Sequence, residues 1–301
     1  MKTRLITGLI MAAVGIPLAI FAPVEAFIGV AALLALIATY EIIHMFETKN
    51  GAKYSFVGKV TIFCLTVFEN LIISLSWYFY NKGSDVNFGA ILSVCLLIMF
   101  FVIGLLLVFD KTVDTNGGAK MLLAVSYVGI GFSSIPVLMM YGRGLLFYIL
   151  VVASFTDMFA YFFGISLGTK LIKRRPAPVI SPKKSFEGCI FGTLFGTVFG
   201  VLVFIFYNEL FTDGGTLFKN VCYIENKGLE ITLIIILTLF ASFVGQVGDL
   251  VASKLKRDNG IKDYGKIFPG HGGVMDRFDS SLFISIFLLI VFLFLQLLLP
   301  L

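Results

Sequence analysis

The sequence predicts an all-α fold in which about nine helices cross a membrane as an integral, multi-pass helix bundle. Hydrophobic residues make up 58% of the 301 positions, charged residues only 14%, and 33 positions are phenylalanine. A soluble domain of this size could not remove so much apolar surface from water, so the natural solvent of this chain is a lipid bilayer. Apolar runs of about 20 residues, each long enough to cross the hydrocarbon layer, recur along the whole chain.

Nine such runs define the predicted transmembrane spans. They are Ile6–Phe21, Ala26–Met45, Val57–Phe79, Phe88–Phe109, Met121–Tyr141, Leu145–Leu167, Gly188–Tyr207, Ile231–Val251 and Ser281–Pro300. The sequence is expected to form one polytopic domain, 1–301. Residues 1–120 hold the first four spans, which build the bundle or a dimer contact, and residues 121–301 hold the other five spans. The first run also resembles a secretory signal, but a second span follows at once, which favours an uncleaved helix.

The basic residues predict the orientation of the chain. If the N-terminus is cytoplasmic, all but four of the 23 lysines and arginines lie in cytoplasmic segments. Cytoplasmic loops of membrane proteins are enriched in these residues, so the distribution supports both the span count and this orientation. The net charge of +5 follows from the same bias and does not indicate nucleic-acid binding. The four cysteines are scattered without a CxxC pair, which predicts neither a disulfide framework nor a zinc site.

Two long polar loops fall on the predicted cytoplasmic side. The first, residues 168–187, follows span six, and the second, residues 252–280, follows span eight; together they hold more than half of the 23 basic residues. Basic loops alone are typical of contact with anionic lipid head groups. The run Pro269–Gly273, ProGlyHisGlyGly, fits either a plain tight turn or a backbone that must approach a ligand closely.

Carboxylates within or beside the spans are a sharper signal. An ionised aspartate in mid-bilayer costs about 2.5–3.5 kcal/mol on insertion scales, so such residues face the protein interior or a watery cavity. Glu41 with His44, and Glu69, are interpreted as satisfied polar contacts between helices. Helical spacing places two further polar sets on single faces of spans six and eight. These sets are Asp157, Tyr161, Gly164 and Gly168, and Gln246, Asp249 and Ser253, with Lys256 and Arg257 one turn further on.

Acidic groups beside many cations predict a metal-bridged phosphate site at the cytoplasmic surface. Asp276 and Asp279 are three residues apart and share a face at a helix N-terminus if span nine begins there. Carboxylates hold Mg²⁺, while lysines, arginines and glycine-rich backbone receive phosphate oxygens. The combination of Asp249, the second loop, Asp276 and Asp279 carries this prediction.

The second loop resembles the signature of the phosphatidate cytidylyltransferases, also called CDP-diacylglycerol synthases. The matching runs are Ser253-Lys254-Leu255-Lys256-Arg257, Lys262-Asp263-Tyr264-Gly265 and Pro269-Gly270-His271-Gly272-Gly273-Val274-Met275-Asp276-Arg277-Phe278-Asp279. Upstream, Thr156-Asp157, Tyr161, Gly164, Lys170 and the run from Ser181 to Gly188 also resemble the family. The family more often has serine where Thr156 stands, which keeps a hydroxyl. The resemblance covers about the last half of the chain in detail.

This resemblance implies a magnesium-dependent reaction of CTP with phosphatidic acid that gives CDP-diacylglycerol and pyrophosphate for phospholipid biosynthesis. Asp249 and Asp276 match family positions associated with the catalytic metal, Asp279 is expected as a further ligand, and a second, monovalent ion (potassium) is associated with the same site. Family members are multi-pass proteins of the bacterial inner membrane and tend to form homodimers. An active site at the cytoplasmic face is therefore expected, with residues 121–301 holding the catalytic spans and the two cytoplasmic loops.

The chemistry of the residues assigns roles within this reaction. The nucleophile is the phosphate monoester of the lipid, so no activated serine or cysteine is needed, and repulsion between two anions is the main difficulty. Phosphate oxygens are assigned to Lys256, Arg257, Lys262 and Arg277. Lys183 and Lys184 are expected to receive the lipid phosphate or the pyrophosphate, and His271 to donate a hydrogen bond to phosphate. Further expected substrate-binding residues are Asp157, Ser185, Ser253, Asp263, Gly270, Gly272 and Gly273.

Two other functions remain open from the sequence. A CTP-dependent lipid kinase, such as a polyprenol kinase, would share a membrane CTP site but would transfer the γ-phosphoryl group and release CDP. An ion-coupled transporter would use the intramembrane carboxylates Glu41, Glu69, Asp157 and Asp249 as an ion path. Transport is the less favoured of the two, because the polar residues gather at one membrane face and not at the midplane.

Overall fold

The regular structure of this chain is helical. The structure, a computed structural model, describes residues 10, 13, 15–48, 53–168, 170, 172, 174–210 and 226–298. The helices are α1 Val24–Glu47, α2 Phe56–Asn81, α3 Phe88–Phe109, α4 Thr115–Val125, a π-helical turn Ser126–Ile130, α5 Gly131–Tyr141, α6 Gly144–Ser166, α7 Phe186–Leu210, α8 Lys227–Asp258 and α9 Met275–Leu298. No β-strand occurs within these described ranges.

Among the described residues, eight helical segments are long and apolar enough to cross a membrane. They coincide with the second to ninth predicted spans, and the continuous segment Thr115–Tyr141, which contains α4, the π-helical turn and α5, is span five. The first predicted span, Ile6–Phe21, lies partly outside the described residues, and residues 15–21 of it are helical. The prediction of an all-α, multi-pass membrane protein is confirmed.

The second predicted loop is shorter in the structure than the sequence suggested. α8 continues past the expected end at Val251 to Asp258, and α9 begins at Met275, before the expected start at Ser281. Hydropathy marks where apolar side chains end, but a helix continues as long as its backbone hydrogen bonds do. Gly260, with φ 71°, follows α8 at a left-handed position that favours glycine.

The chain divides into two compact units. One holds the described residues up to Met140 together with Leu255–Phe278, and the other holds Tyr141–Lys254 and the described residues from Asp279 onward. In the first unit α1 packs on α2 and α2 on α3, and the π-helical turn contacts α2. A Cβ atom at Gly129 in this turn would lie 2.8 Å from Glu69 Oε2, so the glycine permits a close approach to α2.

Glu69 is buried within this first unit, with only 1% of its surface exposed. Neither of its carboxylate oxygens has a hydrogen-bond partner among the described residues, and the same holds for the side-chain amide of Asn70 and the hydroxyl of Ser74. The expectation that Glu69 makes a satisfied polar contact between helices is therefore wrong within the described residues. Spacing alone could not show this, because it identifies the buried face of a helix but not the groups opposite it.

In the second unit, α6 and α7 pack closely along a ridge of glycines. Gly188, Gly192, Gly196 and Gly200 are four residues apart on α7, and a Cβ at Gly192 would lie 2.8 Å from both Ala160 Cβ and Thr156 O. Small residues at this spacing let membrane helices approach each other closely. Stacked phenylalanines fill the space beside the ridge, as in the pair Phe163 and Phe191, whose ring centroids are 4.4 Å apart. This packing fixes the start of α7, where the first polar loop ends.

Candidate active site

The loop between α8 and α9 closes into a tight glycine-rich turn. Phe268 N donates to Gly272 O at 2.9 Å, and His271 N and Gly272 N donate back to Phe268 O at 2.8 and 3.1 Å. Gly270 (φ 77°) and Gly272 (φ 86°) take left-handed backbone conformations that residues with a Cβ rarely adopt. The backbone of the turn therefore favours glycine at these two positions.

Asp276 joins three parts of the first unit. Its Oδ1 accepts a hydrogen bond from Lys256 Nζ at 2.7 Å, and its Oδ2 accepts from Tyr264 N at 2.8 Å and Gly273 N at 2.9 Å. The side chain is only 5% exposed, and that of Lys256 11%. Lys256 Nζ also lies 5.0 Å from the centre of the Tyr264 ring. A buried carboxylate with this many donors both fixes the loop and presents a charged pair beside it.

Glu41 of α1 holds the end of the same loop. Its Oε1 accepts from Val274 N and its Oε2 from Met275 N, both at 2.9 Å, so the carboxylate caps the N-terminus of α9. The residue is 2% exposed. The glycines at 265 and 273 press against the Glu41 carboxylate so closely that neither position has room for a side chain. The interpretation of Glu41 as a satisfied polar contact is confirmed, and its place in the site was not predicted.

Cationic side chains line a cavity of about 660 Å³ beside this loop. Lys262, Lys266, His271 and Arg277 contribute to its wall, together with backbone of the glycine-rich turn. No hydrogen-bond partner for Nδ1 of His271 lies among the described residues. A concave surface with several cations and close backbone is suited to an anion with many oxygens, such as a phosphate chain.

The second unit contains a separate lysine–aspartate pair. Lys184 Nζ, from the first polar loop, lies 2.5 Å from Asp249 Oδ2 of α8, and the two side chains are 18% and 29% exposed. Next to Lys184, Ser185 is buried, and its hydroxyl accepts from Gly188 N at 3.1 Å, which caps α7. Lys183 is exposed. The structure thus brings one residue predicted to bind phosphate against one predicted to bind metal.

Other predicted site residues lie on α6, α8 and α9. Asp157 Oδ2 of α6 accepts from Ser280 Oγ at 3.4 Å, and Asp279 Oδ1 accepts from Ser280 N at 2.8 Å. Ser253 lies in the last part of α8 and is partly exposed. Arg257 is exposed in the last turn of α8, where its Nη1 donates to Ile261 O at 3.1 Å.

The carboxylates suit a hard cation by their chemistry. Within either unit, the described residues bring no three His, Cys, Asp or Glu side chains together in a group that could hold a metal ion. Asp249 and Asp276 each contact a lysine. Both are anionic oxygen donors of the kind that Mg²⁺ prefers, so the residues present fit this ion. The metal site remains a prediction.

These features define a class, that of multi-pass membrane proteins with a cation-lined, glycine-rich loop at the end of a span. The sequence profile of the cytidylyltransferase family matches residues 2–295. The phosphatidate cytidylyltransferase of Bacillus subtilis (strain 168) is 34% identical over 96% of this chain and 96% of its own length. The proteins of the same name from Staphylococcus aureus (strain COL) and Staphylococcus haemolyticus (strain JCSC1435) are 30% and 29% identical over 94% of this chain and 96% of theirs. The chain belongs to the cytidylyltransferase family.

Proposed function

We propose that this chain is a nucleotidyltransferase that transfers CMP from CTP to phosphatidic acid and gives CDP-diacylglycerol and pyrophosphate, a step of phospholipid biosynthesis. The observation that carries the proposal is the family match over residues 2–295, in a chain whose relatives of nearly equal length are named phosphatidate cytidylyltransferase. The multi-pass fold suits a substrate that lies in the bilayer, and the cation-lined cavity suits one that carries a triphosphate.

The reaction needs charge neutralisation more than proton transfer. An oxygen of the phosphatidate monoester attacks the α-phosphorus of CTP, the bond from this phosphorus to the α–β bridging oxygen breaks, and the electron pair leaves with pyrophosphate. Both reactants are highly charged anions, so positioning and electrostatic stabilisation supply the catalysis. This explains why the site is rich in lysine and arginine and does not require a serine or cysteine nucleophile.

The triphosphate is assigned to the loop of the first unit. Lys262, Lys266 and Arg277 line its cavity and neutralise phosphate oxygens, and the glycine-rich backbone allows them to come close. Nδ1 of His271 has no hydrogen-bond partner among the described residues, which supports a role as hydrogen-bond donor to phosphate. Lys256 and Arg257, at the end of α8, are assigned to the same anion.

The first polar loop is assigned to the other phosphate groups. Lys183 is exposed, and the ammonium group of Lys184 is held by Asp249. Either the lipid phosphate or the leaving pyrophosphate is the expected ligand of these two lysines. Ser185 and Asp157 are assigned to positioning of this loop and of the start of α9, in line with their hydrogen bonds.

Asp249, Asp276 and Asp279 are proposed as ligands of Mg²⁺, and potassium is proposed as a second ion. When bound, the divalent ion would neutralise the phosphate oxygens and stabilise the leaving pyrophosphate. The assignment rests on the signature residues and on the oxygen-donor chemistry of the three carboxylates. A cytoplasmic active site, a cytoplasmic N-terminus, an inner-membrane location and a homodimer are further parts of the proposal, supported by the charge distribution and the resemblance.

The alternatives are disfavoured by the family. A CTP-dependent lipid kinase would transfer the γ-phosphoryl group, and a transporter would need no nucleotide, whereas the relatives are named for cytidylyl transfer. The deciding experiment uses the purified protein with CTP, phosphatidate and MgCl₂. Stoichiometric formation of pyrophosphate and CDP-diacylglycerol is expected. Release of CDP with a newly phosphorylated lipid, or no turnover of CTP by protein that melts cooperatively, would contradict the proposal.

A further inference from the structure

We infer that the C-terminal end of α1 contributes a nucleobase subsite, in which the cytosine ring of CTP lies against Tyr40 and His44 and its 4-amino group donates a hydrogen bond to Asp263. The inference rests on the proposed function, because it names the part of that site which recognises the nucleotide. It also gives α1, a helix outside the recognised signature, a direct part in substrate selection.

A second cavity, of about 600 Å³, lies beside the cation-lined one. α1 contributes Tyr40 and His44 to its wall, Thr48 follows directly after this helix, and the loop contributes residues 261–267. Its volume is within the range of small-ligand pockets. The two cavities share four lining residues: Lys262, Asp263, Gly265 and Lys266. A nucleotide whose triphosphate occupies the cationic cavity therefore has an adjoining space for its nucleoside.

The two aromatic side chains of α1 form a platform for a flat ring. Tyr40 and His44 lie one helical turn apart, with ring planes 5° from parallel and centroids 6.2 Å apart. Tyr40 is 61% exposed, so its ring remains available for contact. Bases stack well on aromatic faces, and this contact accepts every base because each has a π-face. The platform accounts for affinity, and another group must select cytosine.

Asp263 has the chemistry to make that selection. It is exposed and lines both cavities, so it lies at their junction. An ionised carboxylate only accepts hydrogen bonds. Cytosine offers the 4-amino group as a donor, and pairing of aspartate with this group is a standard contact in nucleic-acid recognition. Uracil offers a carbonyl oxygen at the same position, which a carboxylate repels. Asp263 therefore favours CTP over UTP.

Glu41 fixes the two subsites relative to each other. It lies between Tyr40 and His44 in α1, and its carboxylate accepts the backbone N–H groups of Val274 and Met275 at the end of the glycine-rich loop. The platform and the phosphate-binding loop are thus joined by a buried, fully hydrogen-bonded contact. A nucleotide that bridges both cavities binds a preorganised surface, which lowers the entropy lost on binding.

The test measures equilibrium binding, so that it does not depend on turnover. Calorimetry on detergent-purified protein compares CTP, UTP and inorganic tripolyphosphate, the last as a probe of the phosphate subsite alone. Tyr40→Ala is expected to raise the Kd for CTP at least about fivefold and to leave tripolyphosphate binding unchanged, whereas Tyr40→Phe keeps the ring and binds CTP normally.

Asp263→Asn is expected to reduce the preference for CTP over UTP at least about fivefold. Asp85→Asn, an exposed carboxylate between α2 and α3, is the matched control.

The outcomes separate this inference from the proposed function. Equal CTP affinity in wild-type protein and Tyr40→Ala, or an unchanged preference for CTP over UTP in Asp263→Asn, would overturn the subsite, even if the wild-type protein makes CDP-diacylglycerol. Wild-type protein that binds CTP no more tightly than UTP would overturn it as well. Loss of CTP binding in the variants of a protein that makes no CDP-diacylglycerol would support the subsite and contradict the proposed function.

Discussion

The two lysine–aspartate pairs have similar chemistry but different surroundings. In the first unit, Asp276 has a side chain only 5% exposed and accepts two backbone N–H groups in addition to Lys256. In the second unit, the side chain of Asp249 is 29% exposed, and its contact with Lys184 joins a helix to a surface loop. Asp276 lies within the recognised signature and Asp249 lies just before it. From the sequence alone, both were expected to bind the catalytic metal.

The difference separates structural from chemical demands on a carboxylate. Asp276 is needed for the loop to fold, because an uncharged amide in its place would leave the buried ammonium group of Lys256 without a counter-ion and would keep only one acceptor oxygen for that group and the two backbone N–H groups. Asp249 has no comparable set of backbone donors among its described contacts, so its main value is its charge. The same substitution at the two positions should therefore have distinguishable effects on stability, although both should stop the reaction.

The largest effect is expected from Asp276→Asn. Breaking a buried ion pair by removal of one charge costs about 3–5 kcal/mol, so the midpoint of thermal unfolding in detergent should fall clearly. CDP-diacylglycerol formation should fall at least about a hundredfold. The double variant Lys256→Met/Asp276→Asn removes the unpaired ammonium group and should regain part of the stability without regaining activity. A single variant that melts like the wild-type protein would contradict the structural role of Asp276.

Asp249→Asn should separate activity from stability. Partly exposed ion pairs contribute about 0–1 kcal/mol, so the unfolding midpoint should change little. CDP-diacylglycerol formation should nevertheless fall at least about a hundredfold, because the proposed metal loses a ligand. The measurement is a pair of assays, product formation and thermal unfolding, on the same preparation. Substantial residual activity would remove Asp249 from the proposed metal site.

The smallest of the three effects on activity is expected from Glu41→Gln. The amide keeps one acceptor oxygen but sets an N–H₂ group against a backbone donor, so one of two hydrogen bonds is lost at a cost of about 1–3 kcal/mol. The glycine-rich loop should loosen, and the apparent affinity for CTP should fall severalfold while some activity remains. Glu47→Gln on the same helix is the control, because its ion pair with Lys59 is partly exposed and contributes about 0–1 kcal/mol. Identical behaviour of the two variants would argue against the capping role of Glu41.

The spans could be predicted from the sequence because transfer into a bilayer depends on local composition. The apolar runs coincide with helices from α1 to α9 because backbone hydrogen bonds within a bilayer must be made inside the segment. The ends of α8 and α9 could not be placed in this way. The run Ser253–Asp258 is polar except for Leu255 and gives no signal of a span, but it continues the hydrogen-bonded ladder of the helix.

The predicted site residues were recognised from a signature, but their contacts depend on long-range folding. Glu41 accepts a hydrogen bond from Val274, which lies 233 positions further along the chain, and no local pattern predicts such a partner. The pairing of Lys184 with Asp249 likewise joins a loop to a distant helix. Tyr40 was missed because an aromatic residue near a span end is also typical of a membrane interface. The cavity that Tyr40 lines is what distinguishes it from such an interfacial residue.

The central claim, transfer of CMP to phosphatidate, is tested most directly by following two labels of CTP. Purified protein is incubated with phosphatidate and CTP that carries the label on either the α- or the γ-phosphorus, and the lipid is then extracted. The α-label should enter the lipid fraction as CDP-diacylglycerol, while the γ-label should stay in water as pyrophosphate. Entry of the γ-label into lipid, with the α-label left in water as CDP, would contradict the account.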